Sequence, residues 1–133
     1  MSFLSVRHLN AGLVGTDTRI LRDVSFEVGA AEVHGLVGES GAGKSMIGKA
    51  ILGILPRSIV ITSGQIMLDG VDLLTVPAPA RRRRIGGICA LIPQDPLTAL
   101  NPSRRIGPQI SDRLVDILGW TKSDAVADRK SVV

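Results

Sequence analysis

A chain of 133 residues, 44% hydrophobic and 21% charged, has the make-up of a folded domain and not of a disordered tail. Its one cysteine, Cys89, excludes a disulfide framework or paired redox motif and reads as a buried small hydrophobe. No apolar run reaches the ~20 residues of a membrane span, and the start lacks the order of a secretory signal, so the composition reads as cytosolic. The net charge of +4 raises nucleic acid as a partner, but its excess sits in Arg81-Arg82-Arg83-Arg84 and Arg104-Arg105. With 2% aromatic residues and no Tyr there are no stacking platforms for bases, so the arginine run reads as a solvated helix end.

Residues 3–9 alternate Leu4 and Val6 with Phe3, Ser5 and Arg7 and predict a half-buried strand. After a loop over 10–18, residues 20–28 alternate again through Ile20, Val24, Phe26 and Val28, giving a second strand of an antiparallel layer. A turn over 29–32 leads to residues 33–37, almost wholly apolar, which predict a strand buried on both faces of a parallel sheet. Residues 44–55 place Met46, Ile47, Ala50, Ile51, Ile54 and Leu55 on one helical face, with Pro56 as the stop. Residues 64–70 read as a strand running into an Asp69-Gly70 turn. Two prolines keep 76–80 irregular, 81–85 read as a short helix end, and 87–92 as a second buried strand broken by Pro93. A loop over 94–102 precedes a helix over 106–118, with Ile110, Leu114, Ile117 and Leu118 on one side and Gly119 as its cap. Residues 123–133 show no helical pattern.

Between the strand at 33–37 and the helix from 44 lies Gly38-Glu39-Ser40-Gly41-Ala42-Gly43-Lys44-Ser45, which fits G-x-x-x-x-G-K-[ST], the phosphate-binding P-loop. The glycines let the backbone turn with its N–H groups inward, where a Cβ would obstruct a phosphate. The following helix offers its positive N-terminal end to the same anion. Lys44 would reach the β/γ-phosphates and the Ser45 hydroxyl would hold Mg²⁺. The competing reading, a glycine-rich turn that merely caps a helix, does not account for the lysine and serine at these offsets.

The P-loop together with Leu91-Ile92-Pro93-Gln94-Asp95-Pro96, in that order, resembles the Walker A and Q-loop of ATP-binding-cassette (ABC) ATPases. Leu97-Thr98-Ala99-Leu100-Asn101-Pro102 and the Gly-Glu-Ser-Gly within the P-loop resemble the subgroup that powers dipeptide, oligopeptide and nickel importers. The resemblance implies an α/β fold: a partial P-loop NTPase core beside an antiparallel β layer, ending before the family's signature motif. Residues 1–133 would form the N-terminal part of one ATP-binding domain, family-like over about 1–118, with 119–133 a divergent tail. Gln94 would contact Mg²⁺ or the attacking water and sense the membrane partner. Leu13 would cover the adenine where the family usually stacks an aromatic ring, and Pro93 stands where the subgroup more often has Phe. ATP and Mg²⁺ are the implied cofactors. The implied partners are transmembrane permease subunits, a second ATP-binding subunit and, indirectly, a periplasmic or lipid-anchored solute-binding protein, at the cytoplasmic face of the membrane. The activity would be energy coupling for import of peptides or a similar solute.

These 133 residues contain no Leu-Ser-Gly-Gly-Gln, no Walker B strand ending in Asp-Glu and no switch histidine. Asp69 is followed by Gly70 and Asp116 lies in a helical pattern, so neither serves as the Walker B acid. His8 and His34 read as structural. Whether the chain is an ATPase therefore stays open, and negligible hydrolysis is expected. The alternatives are a nucleotide-binding fragment with no transport role and, from the arginine run, a nucleic-acid-associated P-loop protein.

Overall fold

The structure, a computed structural model, describes residues 2–41, 43–95 and 98–131. Its contacts divide the chain into two units, residues 1–81 and 82–133.

The first unit is built on an antiparallel sheet of β1 (Ser2–Leu13), β2 (Arg19–Gly29), β3 (Ile59–Leu68) and β4 (Val71–Asp72), in the order β2-β1-β3-β4. The two expected N-terminal strands are present and longer than their alternation suggests. Asp69 and Gly70 join β3 to β4 as a two-residue hairpin with φ of 47° and 77°, the left-handed pair that such a turn requires. Val6, Leu9, Leu21, Ile66 and Leu68 are buried, with Ile47 and Ala50 of α1 (Lys44–Leu52), which packs on β2.

One level of this sheet is irregular across three strands. The β1–β2 register skips from Val6↔Phe26 to Leu9↔Val24, and β1–β3 skips from Arg7↔Gln65 to Asn10↔Ser63. There His8 and Asp23 both take φ 48° and Gly64 takes φ 111°. An extra residue in a strand switches the face of everything after it. Thus Leu9 and Ala11 are buried along with Val6, and β2 buries Leu21 where simple alternation favours Ile20. The Asn10 side chain ties the three strands at this level. Its amide nitrogen donates to the His8 carbonyl (2.8 Å) and the Ser63 hydroxyl (3.1 Å), and its oxygen accepts from the Asp23 N–H (3.0 Å). His8 Nδ1 lies 2.7 Å from Asp23 Oδ1, and the His34 ring stacks on Phe26 at 5.5 Å, so both histidines serve structural contacts.

Two expected strands are not strands. Residues 33–37 are irregular and open to solvent, with Val33 97% and Val37 95% exposed. In the second unit, Gly87 and Ile88 belong to a helix and 89–92 are irregular, with Ile92 93% exposed. A buried parallel strand needs backbone partners on both edges, and among the described residues neither run has one. Other boundaries also move. Gly53, at φ 69°, ends α1 before Pro56 is reached, returning its N–H to the Lys49 and Ala50 carbonyls.

The unit boundary falls within α2 (Ala78–Ile88), which takes in residues expected to be irregular. Pro79 is tolerated there because the first helical turn needs no N–H donor. Arg82 and Arg83 are exposed on α2. α3 (Ile106–Asp112) runs into a π-helical turn, Arg113–Ile117, closed by Gly119 at φ 72° as expected, and the Trp120 N–H returns to the Leu114 carbonyl at 2.9 Å. The Arg113 guanidinium donates to the Gly86 (2.9 Å) and Cys89 (3.0 Å) carbonyls, capping α2. Cys89 is only half-buried, and that burial pushes its thiol pKa up against the opposing charge of Arg113. Of the expected loop at 94–102, Pro96 and Leu97 lie outside the described residues.

The tail, whose sequence shows no helical pattern, is nevertheless a helix, α4 (Lys122–Ser131). Thr121 and Asp124 form a reciprocal cap. The Thr121 Oγ1 accepts the Asp124 N–H (3.1 Å) and donates to Asp124 Oδ2 (2.6 Å). The helix also buries Ala125 completely and packs on α3.

Candidate functional site: a glycine-rich anion loop

The glycine-rich turn enters α1 from an irregular stretch, and its shape follows from two residues. Gly41 and Gly43 both adopt φ 86°, a conformation that side chains with a Cβ rarely take. At Gly43 a Cβ would also lie 3.2 Å from Leu21 Cδ2 and 3.3 Å from the Ile20 carbonyl, so the turn lies pressed against β2. Ala42 lies outside the described residues.

Positive charge converges on this turn. The Lys44 ammonium folds back over it, donating to the Gly38 and Glu39 carbonyls at 2.6 Å each. α1 begins at Lys44 with Gly43 as its N-cap, without a capping side chain and without an acidic residue in its first turn. Its positive end is therefore not neutralised by its own side chains. The Met46 and Ile47 N–H groups turn back on the Gly43 carbonyl at 2.9 and 3.1 Å. The Ser45 side chain is exposed in that first turn, and Glu39 and Ser40 are exposed on the approach. An exposed hydroxyl beside a lysine and a helix N-terminus suits a Mg²⁺–polyphosphate, because Mg²⁺ takes few protein ligands and relies on phosphate oxygens and water. Among the described residues no three His, Cys, Asp or Glu side chains form a metal cluster that could hold such an ion without the phosphates.

Two grooves lie along the β1–β2 pair, and the first of them touches the turn. One, of about 370 Å³, is lined by Gly41 with Arg19, Ile20, Leu21, Arg22 and Val24. The other, of about 320 Å³, lies under Leu13 at the end of the β1–β2 hairpin, with Gly12, Thr16, Asp17, Arg19 and Thr62 in its wall. Larger grooves of about 500 and 550 Å³ lie along β3 and beside Asp69, but neither contains a glycine-rich turn or a helix N-terminus. Chemistry, not size, therefore selects the P-loop side. Leu13, half-buried, and residues 38–45 share the first unit. Gln94 is exposed at a bend after Pro93 and belongs to the second unit. Asp69 sits in the hairpin turn and Asp116 in the π-helical turn, so neither ends a buried strand. Nothing in the sequence singles out Arg19. Its place follows from the pairing Gly12↔Arg19, which alternation alone does not reveal.

Comparison with known proteins gives this loop a context. The ABC transporter family profile matches residues 21–131. The dipeptide transport ATP-binding protein DppD of Haemophilus influenzae is 37% identical over 124 residues, covering 92% of this chain and 38% of that protein. The probable D,D-dipeptide transport ATP-binding protein DdpD of Escherichia coli K12 is 42% identical over 106 residues, 79% of this chain and 32% of its own length. The peptide transport system ATP-binding protein SapD of Salmonella typhimurium is 32% identical, covering 95% of this chain and 42% of SapD. A solved ATP-binding subunit of an ABC transporter superposes with a TM-score of 0.66 at 28% identity, covering 92% of this chain and 45% of that one. The chain thus spans roughly two-fifths of the length of these relatives. With its P-loop, its antiparallel layer and these relatives taken together, the chain belongs to the ABC transporter family of ATP-binding proteins and carries part of the ABC ATPase fold.

Proposed function

We propose that residues 38–45 hold the triphosphate of ATP and that the chain is the P-loop-bearing part of a subunit that couples ATP to the import of peptides or a similar solute. The observation that carries the reading is the convergence of the Lys44 ammonium and the uncapped N-terminus of α1 on one glycine turn. The backbone N–H groups of Gly38, Glu39, Ser40, Gly41, Ala42 and Gly43 and the Lys44 ammonium would bind the phosphates. Mg²⁺, with Ser45 and Gln94 as protein ligands, would neutralise phosphate charge. Gln94 would orient water, since a neutral amide both accepts from and donates to its neighbours. Leu13 would give apolar cover to the base.

Residues 1–133 are read as the N-terminal part of one ATP-binding domain. Permease subunits, a second ATP-binding subunit and, indirectly, a solute-binding protein would be its partners, at the cytoplasmic face of the membrane. The names of DppD, DdpD and SapD support peptides as the solute class. No helix of the described residues is long and apolar enough to cross a membrane, which agrees with a peripheral location.

Binding and turnover separate in this reading. Phosphoryl transfer needs a positioned water and a full set of charge-stabilising donors, and these residues provide no carboxylate for the water. Calorimetric titration with Mg·ATP tests the binding. Lys44→Ala is expected to weaken it more than about tenfold, as loss of a charge-assisted contact worth ~1.5–3 kcal/mol implies. Phosphate release should stay at background for both proteins. Unchanged ATP affinity in Lys44→Ala would refute the site, and Lys44-dependent phosphate release would refute the inactivity. Failure to associate with permease subunits, with ATP binding intact, would favour a nucleotide-binding fragment without a transport role.

A further inference from the structure

We propose that Arg19 is the base-covering residue of the nucleotide site, its guanidinium lying flat on the purine face opposite Leu13. This rests on the triphosphate reading of residues 38–45 given above. A triphosphate held there leaves the ribose and base to the surface that continues from Gly41. That surface is the groove whose other wall is β2 from Arg19 to Val24. Arg19 is also a wall of the groove under Leu13, and it is the one residue common to both.

The hairpin end that carries both side chains is tightly fixed. Gly12 pairs with Arg19, and a Cβ on Gly12 would lie 2.7 Å from the Thr18 carbonyl. The Leu13 N–H donates to that carbonyl at 2.9 Å. Leu13 and Arg19 therefore rise from neighbouring positions of one close-packed strand pair. The Arg19 side chain is exposed, and its guanidinium makes no hydrogen bond or ion pair among the described residues, although Asp17 shares its groove.

Neither groove contains an aromatic side chain. Phe26 is occupied with His34, and Phe3 lines the groove beside Asp69. A purine entering between Leu13 and β2 meets aliphatic side chains, Leu13 on one side and Ile20, Leu21 and Val24 on the other, but no planar side chain to form a second, stacked face. A guanidinium is planar, delocalised and weakly hydrated, so it stacks on an aromatic face where an ammonium does not. Arg19 supplies that second face.

The test compares Mg·ATP with inorganic tripolyphosphate, by calorimetry on the full 133-residue chain. Arg19→Ala is expected to weaken ATP about 2- to 30-fold, the span of a cation–π contact, while tripolyphosphate affinity stays within about twofold. Arg19→Lys keeps the charge without the plane and should recover less than half of the loss on a logarithmic scale. Adding Leu13→Tyr to Arg19→Ala should restore ATP binding by supplying a ring. An equal loss for ATP and tripolyphosphate would make Arg19 a phosphate contact and overturn the proposal, as would no loss for ATP. Lys44→Ala is expected to weaken both ligands. If it weakens neither, the triphosphate reading itself fails, an outcome distinct from a normal Lys44 effect with a silent Arg19.

Discussion

Gly64→Ala probes whether the irregular level of the sheet is a built feature. An added Cβ would lie 2.6 Å from Leu9 Cα, 2.7 Å from the His8 carbonyl oxygen and 2.9 Å from that of Arg7. All three are backbone atoms, so no side chain can swing aside, and β3 must move off β1. The φ of 111° adds strain of about 1–3 kcal/mol for a residue with a Cβ. Displacing the strand adds about 1–3 kcal/mol, the usual effect of overpacking. The expected loss is about 2–6 kcal/mol, a large share of the ~5–15 kcal/mol that holds a typical domain. In urea unfolding followed by circular dichroism, the midpoint should fall by about 1–3 M at a slope near 2 kcal/mol/M. Gly48 supplies the opposite control, since it lies inside α1 with no atom within 4 Å of an added Cβ. Alanine there should stabilise by about 0.5–1 kcal/mol. A Gly64→Ala midpoint unchanged from wild type, or shifts of the same sign for both variants, would refute the reasoning.

Asn10→Ala removes three hydrogen bonds, one within β1 and two that tie it to β2 and β3, and should destabilise by about 1–3 kcal/mol in the same assay. Thr121→Ala removes the cap of α4 and should lower its stability by about 1 kcal/mol, read as faster amide exchange at residues 124–126. Glu27 accepts hydrogen bonds from the Arg7 guanidinium and the Ser5 hydroxyl, which hold its carboxyl pKa below the ordinary value. Because the folded value is the lower one, its contribution to stability is complete above the unfolded carboxylate range and fades as pH falls through the folded value. Glu27→Gln should remove that part of the acid limb, and a carboxyl NMR titration of Glu27 reaching its midpoint at or above the unfolded value would contradict the pairing.

The outline of the fold was legible where the signal is local. The G-x-x-x-x-G-K-[ST] pattern marks the start of α1 to the residue, and Asp69-Gly70 marks a hairpin whose geometry demands those residue types. Long-range pairing was less legible. The apolarity of 33–37 describes a segment able to be buried, whereas a strand also needs a neighbour, and none pairs with it among the described residues. Ile20 and Leu21 exchange roles because an extra residue at Asp23 reverses the alternation, and no propensity scale signals an extra residue. The helix at 122–131 was missed for a different reason, since its cue is the Thr121–Asp124 spacing and not an apolar stripe. At the candidate site the glycine-rich turn with Lys44 and Ser45 declares itself in sequence. Arg19 does not, because only the strand register brings it beside Leu13 and Gly41.

The aligned irregularities at Asp23, His8 and Gly64 also bear on how faithfully the strands find one another. In a plain sheet, a strand that slips by two residues keeps its apolar side inward and loses little. Here, such a slip of β1 would carry the kink at His8 opposite straight backbone on both neighbours at once. It would strip Asn10 of its partners on β2 and β3, the Asp23 N–H and the Ser63 hydroxyl, and set the crowded contact of Gly64 against the wrong residue. Misregistered pairings are thus penalised twice over, on β2 and on β3. The hairpin that carries Leu13 and Arg19 is therefore held in one alignment, and that alignment fixes the spacing of the two positions.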